Sequence, residues 1–187
     1  MIDQLLEYDT ELFLFLNGLG NTSWDGFWNF VTEKWSSIPL YALMLFLIYR
    51  EYGWKATGVI LVAAALMITA TDQLSNLFKH GFERPRPCQV EVLQNQMRFA
   101  AERCGRYGYF SAHAASSMAA AVFMGLLLRK RYYYLPFLLL VWAIGTAYSR
   151  IYLGVHYPLD IITGMFFGAW IGWGAYGLQR WANRKWA

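Results

Sequence analysis

The sequence predicts an all-α protein, a polytopic membrane helix bundle with about five transmembrane helices and additional interfacial helices at the N-terminus. Hydrophobic residues make up 57% of the chain and charged residues only 15%, a balance that soluble domains rarely have. The apolar residues come in runs long enough to cross a bilayer, for which roughly 20 are needed. Basic residues cluster at the ends of these runs, so the net charge of +4 reflects membrane topology and we predict no nucleic-acid partner.

The first 36 residues are expected to form an interfacial segment ahead of a membrane-embedded part at 37–187, with the whole chain forming one domain. Acidic residues dominate the start, unlike the basic start of a signal peptide. The first apolar stretch, between Leu5 and Leu16, is too short and interrupted to span a bilayer. After a glycine-containing turn, the aromatic stretch from Trp24 to Trp35 has the mixed character of helices that lie at the headgroup level.

The predicted crossings follow in order along the rest of the chain. They span approximately residues 37–49, 54–78, 111–128, 132–148 and 159–178. Pro39 is expected to kink the first crossing. Pro158 suits the first turn of the last crossing, where no backbone N–H is needed. Four glycines in the last crossing would let a neighbouring helix approach closely, and they are Gly164, Gly168, Gly172 and Gly174.

The second crossing carries a polar stripe in its second half. Its members recur at spacings of three and four, which places them on one helix face. They are Thr69, Asp72, Gln73, Asn76 and Lys79. Such a stripe can bond a helix to its neighbours, or it can support a buried polar site. We favour the second interpretation because the stripe runs directly into the basic sequence at 84–87.

Residues 80–109 form one long polar loop that contains both cysteines, Cys88 and Cys104. On an oxidising face of the membrane they could pair, which would stabilise the fold by about 3 kcal/mol, but the sequence equally allows two free thiols. Five crossings place this loop on the same side as the segment around His156. Lys and Arg are equally numerous on the two sides, so the positive-inside rule alone does not orient the chain. It favours an outward-facing loop only if some cations on the side of the loop are there to bind phosphate. On that condition we expect a protein of the bacterial cytoplasmic membrane with its polar side extracytoplasmic.

Three basic residues at predicted helix ends on this side could balance the charge of a phosphoryl group, namely Lys79, Arg86 and Arg150. Ser111, at the start of the third crossing, adds a hydroxyl and the free backbone N–H groups of a helix N-terminus. Charged groups are costly in hydrocarbon, so their concentration here indicates a binding site. We interpret the site as a phosphate pocket that needs no metal ion.

Two histidines could supply the chemistry of such a pocket. An imidazole can attack phosphorus when an acceptor holds its other nitrogen, and Asp160 lies four residues after His156. His113 would then be the general acid for the leaving group and later the base that activates water. His80 is expected only to face the membrane interface.

These residues resemble the three-part signature of the type 2 phosphatidic acid phosphatase superfamily. The first part is Lys79-x6-Arg86-Pro87, and the third part is Ser149-Arg150-x5-His156-x3-Asp160. The middle part, Phe110-Ser111-Ala112-His113, departs from the family's usual Pro-Ser-Gly-His at Phe110 and Ala112. The resemblance implies a lipid phosphatase without a cofactor, acting through the catalytic and phosphate-binding roles given above. The expected partners are a lipid phosphate substrate and membrane lipids, with no obligatory protein partner.

The resemblance favours undecaprenyl pyrophosphate as substrate, with lipid A or phosphatidylglycerol phosphate as alternatives. Additional loop arginines could hold a second phosphate or could be solvated charges, and they are Arg84, Arg98, Arg103 and Arg106. Two functions of other classes stay open. The histidines could hold a metal or a haem, although the adjacent cations would repel a metal. The departures at Phe110 and Ala112 could instead leave an inactive protein that binds lipid phosphate.

Overall fold

The computed structural model describes residues 1–33 and 35–186, and every regular element within them is helical. The α-helices are α1 (Ile2–Gly18), α2 (Thr22–Thr32), α3 (Ile38–Phe82), α4 (Glu91–Gln94), α5 (Ala112–Leu128), α6 (Leu135–Tyr152) and α7 (Pro158–Trp186), with short 3₁₀ turns at Trp35–Ser37 and Pro87–Gln89. Lys34 and Ala187, which belong to the two predicted segments, lie outside the described residues. The prediction of an all-α fold is confirmed.

Helix α3 reverses direction at Gly53, so that it provides two antiparallel passes. Gly53 has φ 73°, a left-handed conformation that glycine adopts without steric cost. Ile48 and Thr57, on either side of the break, line the same cleft, and so do Ser37 and Asp72 far from it. The expected boundary between the first two crossings therefore lies where the sequence placed it.

Within the described residues, three helical stretches are long and apolar enough to cross a membrane, namely 35–82, 135–152 and 158–185. Helix α5 is shorter, at 17 residues, but it is apolar and largely buried between α3, α6 and α7. Because α3 reverses, these helices agree with about five crossings. Pro39 does not kink the first crossing as expected, because it lies in the first turn of α3, where a proline is tolerated.

The packing of α7 against α5 depends on glycine. A Cβ atom at Gly164 would lie 2.6 Å from the carbonyl oxygen of Ser111, and one at Gly168 or Gly172 would meet the backbone of α5 just as closely. These three glycines permit the close approach that the sequence predicted. A Cβ atom at Gly174 would meet nothing within 4 Å, so the prediction is wrong for that residue.

The two N-terminal helices pack on the bundle at the end where the polar loops lie. Helix α1 contacts α6 and α7, and α2 contacts α6. The buried side chain of Asn17 donates to the carbonyl groups of Arg98, Ile151 and Tyr152, and accepts from the N–H of Arg98 at 2.7 Å. Helix α1 therefore ties the long loop to the end of α6. The division of the chain at residue 36 remains a prediction.

The long loop at 83–111 is folded back on itself at its base. The backbone N–H of Arg86 donates to the carbonyl oxygen of Arg106, and the backbone N–H of Gly108 donates to the carbonyl oxygen of Arg84. Cys88 and Cys104 form a disulfide, with their Cα atoms 6.3 Å apart. The pairing that the sequence left open is therefore made, and it closes the loop beside the residues that carry the first motif.

Candidate active site

The predicted site residues all lie at one end of the bundle. The end of α3, the start of α5, the end of α6 and the start of α7 meet there, together with the long loop. The residues brought to this end are Lys79, Arg86, Ser111, His113, Arg150, His156 and Asp160. The two histidines thus lie at the same end of the bundle. All three predicted cations are close enough to interact electrostatically with both imidazole rings.

His156 and Asp160 form a buried pair between α6 and α7. The imidazole is 1% exposed, and its Nδ1 atom lies 3.2 Å from Oδ2 of Asp160. The same carboxylate oxygen accepts the backbone N–H of Tyr157 at 3.1 Å, which fixes its position at the start of α7. Because Nδ1 is held in this way, Nε2 is the ring nitrogen left for a substrate.

The charge on His156 is set by its surroundings. Burial lowers the pKa of His156 well below its ordinary value of 6.5, and the nearby cations lower it further. In order of effect these cations are Arg86, Arg150 and Lys79. A hydrogen bond with the backbone of Gly108 opposes the shift in part. The ring is therefore neutral near pH 7, as a nucleophile must be.

The cations of the site keep hydrogen-bond donors unused. Arg86 donates through Nε to the carbonyl of Tyr107 at 3.0 Å, which orients its guanidinium. Arg150 donates through Nη1 to the hydroxyl of Thr32, while its buried Nε has no partner among the described residues. Buried donors without an acceptor are costly. An anion bound between these side chains would supply that acceptor.

Ser111 begins α5 even though the motif around it is unusual. Its hydroxyl accepts the N–H of Ala114 at 3.4 Å, so it acts as the N-cap of the helix. Phe110 is fully buried, with its ring 5.1 Å from that of Phe78 and 5.3 Å from that of Phe167. Phe110 therefore fills an aromatic core beside the site, and the helix start keeps its free N–H groups for an anion.

A second carboxylate, Asp9 of α1, reaches the site although sequence analysis did not include it. Asp9 bonds Nη2 of Arg84 at 2.7 Å, and Nη1 of Arg84 bonds Oδ1 of Asp160 at 3.1 Å. Asp9 also accepts the backbone N–H of Leu159 at 2.7 Å. Burial raises the pKa of Asp9, and the contacts with Arg84 and Leu159 oppose the rise. A chain of contacts thus runs from α1 to the ring of His156.

One sequence signal could have identified Asp9. Asp9, Phe13 and Asn17 recur at a spacing of four, and they are the buried residues of α1. Polar residues at both ends of such a face indicate a helix that packs onto polar partners. From the sequence alone, the acidic residues of this segment indicate only that it is not a signal peptide.

Two expectations about polar side chains need correction. Only the last part of the predicted stripe on α3 reaches the site: Thr69, Asp72 and Gln73 are exposed, whereas Asn76 is half-buried and Lys79 is half-buried beside the two histidines. The buried polar residues are its neighbours Thr71 and Ser75, and the Ser75 hydroxyl donates to the carbonyl of Phe110 at 3.1 Å. The prediction is therefore wrong for the start of the stripe, because several helix faces carry polar residues here and only packing decides which of them is covered.

The sequence left two roles open for the loop arginines, binding of a second phosphate or exposure to solvent, and two of the four instead form ion pairs. Arg84 is paired with two carboxylates, and Nη2 of Arg98 contacts both carboxylate oxygens of Asp25 at 2.9 and 3.0 Å, while its buried Nη1 has no hydrogen-bond partner among the described residues. The charges of Arg84 and Arg98 are therefore already balanced by carboxylates, whereas Arg103 and Arg106 are exposed on the loop. Among residues 1–33 and 35–186, no group of three or more His, Cys, Asp or Glu side chains is placed to hold a metal ion.

An apolar cleft opens beside the site. It has a volume of about 950 Å³ and runs from His113 and Ser116 along both passes of α3 towards Ile48 and Thr57. Its walls are mostly aliphatic side chains, and it ends at the polar site. A long apolar group could therefore lie between the helices while an attached polar group reaches His113.

Comparisons with known proteins give a consistent family. The model of the PAP2 superfamily matches residues 59–184. A lipid A 4′-phosphatase of Bacteroides thetaiotaomicron is 36% identical over 176 residues, which cover 92% of this chain and 77% of that protein. An undecaprenyl-diphosphatase of Sulfolobus acidocaldarius is 27% identical, covering 90% of this chain and 77% of that protein. The crystal structure of Aquifex aeolicus LpxE superimposes with a TM-score of 0.67 at 25% identity, over 89% of this chain and 93% of that one.

Proposed function

This chain belongs to the PAP2 superfamily and is a membrane lipid phosphatase, and from this premise we propose that it removes a phosphate from a lipid A-type glycolipid through a phosphohistidine. One observation carries the proposal. A neutral histidine held by a carboxylate, a second histidine and three cations meet at one end of the bundle, beside an apolar cleft.

In the first step Nε2 of His156 attacks phosphorus, and the bond from phosphorus to the lipid oxygen breaks. The electron pair goes to that oxygen, which takes a proton from His113. Asp160 stabilises the positive ring through the Nδ1 contact. The charges of Lys79, Arg86 and Arg150 balance the phosphoryl oxygens. A bound phosphate offsets these cations in turn, which favours the protonated form of His113 that this step needs.

In the second step His113 takes a proton from water, and the resulting hydroxide attacks the phosphorus atom of the phosphohistidine. The bond between phosphorus and Nε2 breaks, its electron pair returns to His156, and inorganic phosphate leaves. The residues that stabilise the first transition state also stabilise the second, because the same phosphoryl oxygens carry the charge. Every proton and electron pair is supplied by the protein's own side chains and by water, without a metal ion.

The substrate class rests on two arguments. The lipid A 4′-phosphatase is 36% identical over most of the chain, compared with 27% for the undecaprenyl-diphosphatase. The loop arginines that would have held the second phosphate of a pyrophosphate include Arg84 and Arg98, and both have carboxylate partners. We therefore rank a lipid A-type phosphate above undecaprenyl pyrophosphate, the substrate that the sequence alone favoured.

We further propose that the protein lies in the bacterial cytoplasmic membrane with its active site on the extracytoplasmic side. The disulfide between Cys88 and Cys104 supports this orientation, since disulfides persist in oxidising compartments. The basic turn at 129–131 lies at the other end of the bundle, as the positive-inside rule would place it. Because Lys79, Arg86 and Arg150 are assigned here to phosphate binding, they are left out of the charge count. The remaining Lys and Arg are then more numerous on the opposite side, which the positive-inside rule assigns to the cytoplasm.

The test is phosphate release by the purified protein, in a chelator, from bis-phosphorylated lipid A, undecaprenyl pyrophosphate and phosphatidylglycerol phosphate in parallel. We expect lipid A to have the highest kcat/KM. His156→Ala should lose at least about 1,000-fold in kcat, whereas His80→Ala, a change of the same residue type on an exposed face, should retain activity. Faster release from undecaprenyl pyrophosphate would overturn the substrate class, and an active His156→Ala variant would overturn the mechanism.

A further inference from the structure

A second cavity lies at the end of the bundle opposite the active site. It has a volume of about 910 Å³ and is bounded by the reversal of α3 at Gly53, the end of α5 and the last turns of α7. Helix α5 begins at the active site and ends at this cavity, so its 17 residues separate the two by about 25 Å. The cavity is therefore distinct from the catalytic pocket.

The walls of this cavity are strongly basic. Five cationic side chains line it against one acidic residue, Glu51, and they are Lys55, Arg129, Lys130, Arg180 and Arg184. Within the part of the chain that the structure describes, none of the five has a carboxylate within ion-pair distance. Converging cations without counter-charges create a positive potential that attracts an anion.

The cavity also offers polar groups for hydrogen bonding. Gln179 is buried at its wall and accepts the amide of Asn183 at 3.0 Å. The side-chain oxygen Oδ1 of Asn183 is buried without a donor among the described residues. Because Asn183 lines the cavity, a hydroxyl group bound there could donate to this oxygen and satisfy it.

The surrounding aromatic residues give the depth of the cavity in the membrane. Trp54 is 74% exposed beside the reversal of α3, Trp181 is 54% exposed on α7, and Tyr133 is 82% exposed after α5. Exposed tryptophan and tyrosine at the end of a bundle lie at the level of the lipid headgroups. The anion most concentrated at that depth is the phosphate of a phospholipid.

We propose that this cavity binds the headgroup of an anionic glycerophospholipid, of the phosphatidylglycerol type, from the leaflet opposite the active site. The phosphodiester is held by the guanidinium groups of Arg180 and Arg184, and a headgroup hydroxyl by Asn183. Basic pockets between transmembrane helices bind such headgroups in general. The proposal goes beyond the phosphatase activity and does not depend on its substrate.

The test compares two double variants with equal changes in net charge. Arg180→Gln with Arg184→Gln removes two cations that line the cavity, and Arg50→Gln with Arg131→Gln removes two at the same end that do not. Native mass spectrometry in neutral detergent would measure binding of phosphatidylglycerol, phosphatidylcholine and inorganic phosphate. At about 1 kcal/mol per cation, the first variant should bind phosphatidylglycerol at least 10-fold more weakly than the parent, and the control should stay within 2-fold.

Each result decides the proposal. Preference for phosphatidylglycerol over phosphatidylcholine, lost only in the Arg180/Arg184 variant, supports it. Equal losses in both variants would mean that general surface charge attracts the lipid, which overturns it. Inorganic phosphate that competes fully with phosphatidylglycerol would identify a soluble phosphate site instead. Phosphate release from a short-chain soluble substrate should be unchanged in both variants, which shows that each still folds.

Discussion

At the residue scale, the pair of His156 and Asp160 could be predicted from sequence, but the long-range contacts that hold this pair in place could not. His156 and Asp160 are four residues apart, so their contact follows from local geometry. Asp9 and Leu159 are 150 positions apart, and nothing local indicates that α1 would cover the start of α7. Long-range contacts of this kind are set by packing of the whole chain.

The contacts of Asp9 make it a positioning residue for His156. In Asp9→Asn, Arg84 would lose one of its two carboxylates and bind Asp160 more closely, which would draw that carboxylate away from Nδ1 of His156. We expect kcat to fall by roughly 10-fold, the size usual for loss of an outer partner of a functional side chain. Asp25→Asn, which breaks the Arg98 pair away from the catalytic ring, is the matched control. Full activity in Asp9→Asn would contradict the positioning role.

The lowered pKa of His156 predicts an unusual dependence on pH. The neutral ring is the nucleophile, so the acidic limb of the kcat/KM profile should lie well below pH 6.5. Among the nearby charges Arg86 has the largest effect, and its removal favours the protonated ring. Arg86→Gln should therefore move the acidic limb to higher pH, in addition to lowering kcat/KM through weaker phosphate binding. Profiles of kcat/KM against pH for the parent and Arg86→Gln, measured on one substrate, would show this shift. An acidic limb at the same pH in both proteins would disprove the electrostatic effect of Arg86 on His156.

At the element scale, the sequence predicted an all-α bundle and the order of its apolar helices because length and hydropathy dominate in a membrane. It could not say which face of α3 is covered, since polar residues occur on several faces and only neighbouring helices decide. The glycines of α7 illustrate the same limit. Four were predicted to face a neighbour, and the backbone of α5 lies against three of them.

This difference gives a matched pair of substitutions on one helix. Gly168→Ala places a methyl group against the backbone of α5 at Ala115, whereas Gly174→Ala points into open space. Backbone cannot move as a flexible side chain can, so we expect Gly168→Ala to destabilise the protein by about 1–3 kcal/mol, the usual cost of overpacking. Thermal unfolding in one detergent would measure it. Gly174→Ala should unfold at or above the temperature of the parent, because alanine favours a helix; a large loss there would contradict the packing described for α7.

At the scale of the whole molecule, the bundle joins two environments. The polar end holds charged groups in a protein-lined pocket, and the cleft beside it is open between the passes of α3 and lined by aliphatic side chains. A lipid could therefore keep its acyl chains among the helices while its phosphate reaches His113. The sequence predicted a lipid phosphate substrate, but not the cleft that forms between the two passes of α3 on either side of Gly53.

Filling the cleft should separate binding of the lipid tail from chemistry. Ala64 lines the cleft in its apolar part, and Leu66 is exposed on the same pass without lining it. Ala64→Phe would displace about two methylenes of an acyl chain at about 0.8 kcal/mol each, so kcat/KM for a long-chain lipid phosphate should fall about 10-fold. The same variant should retain kcat on a short-chain soluble phosphate, because the ring introduced lies far from His156. Leu66→Phe should match the parent on both substrates. If Ala64→Phe lowered both activities equally, the defect would lie in the fold or the catalytic site, and the lipid tail would have to take another path.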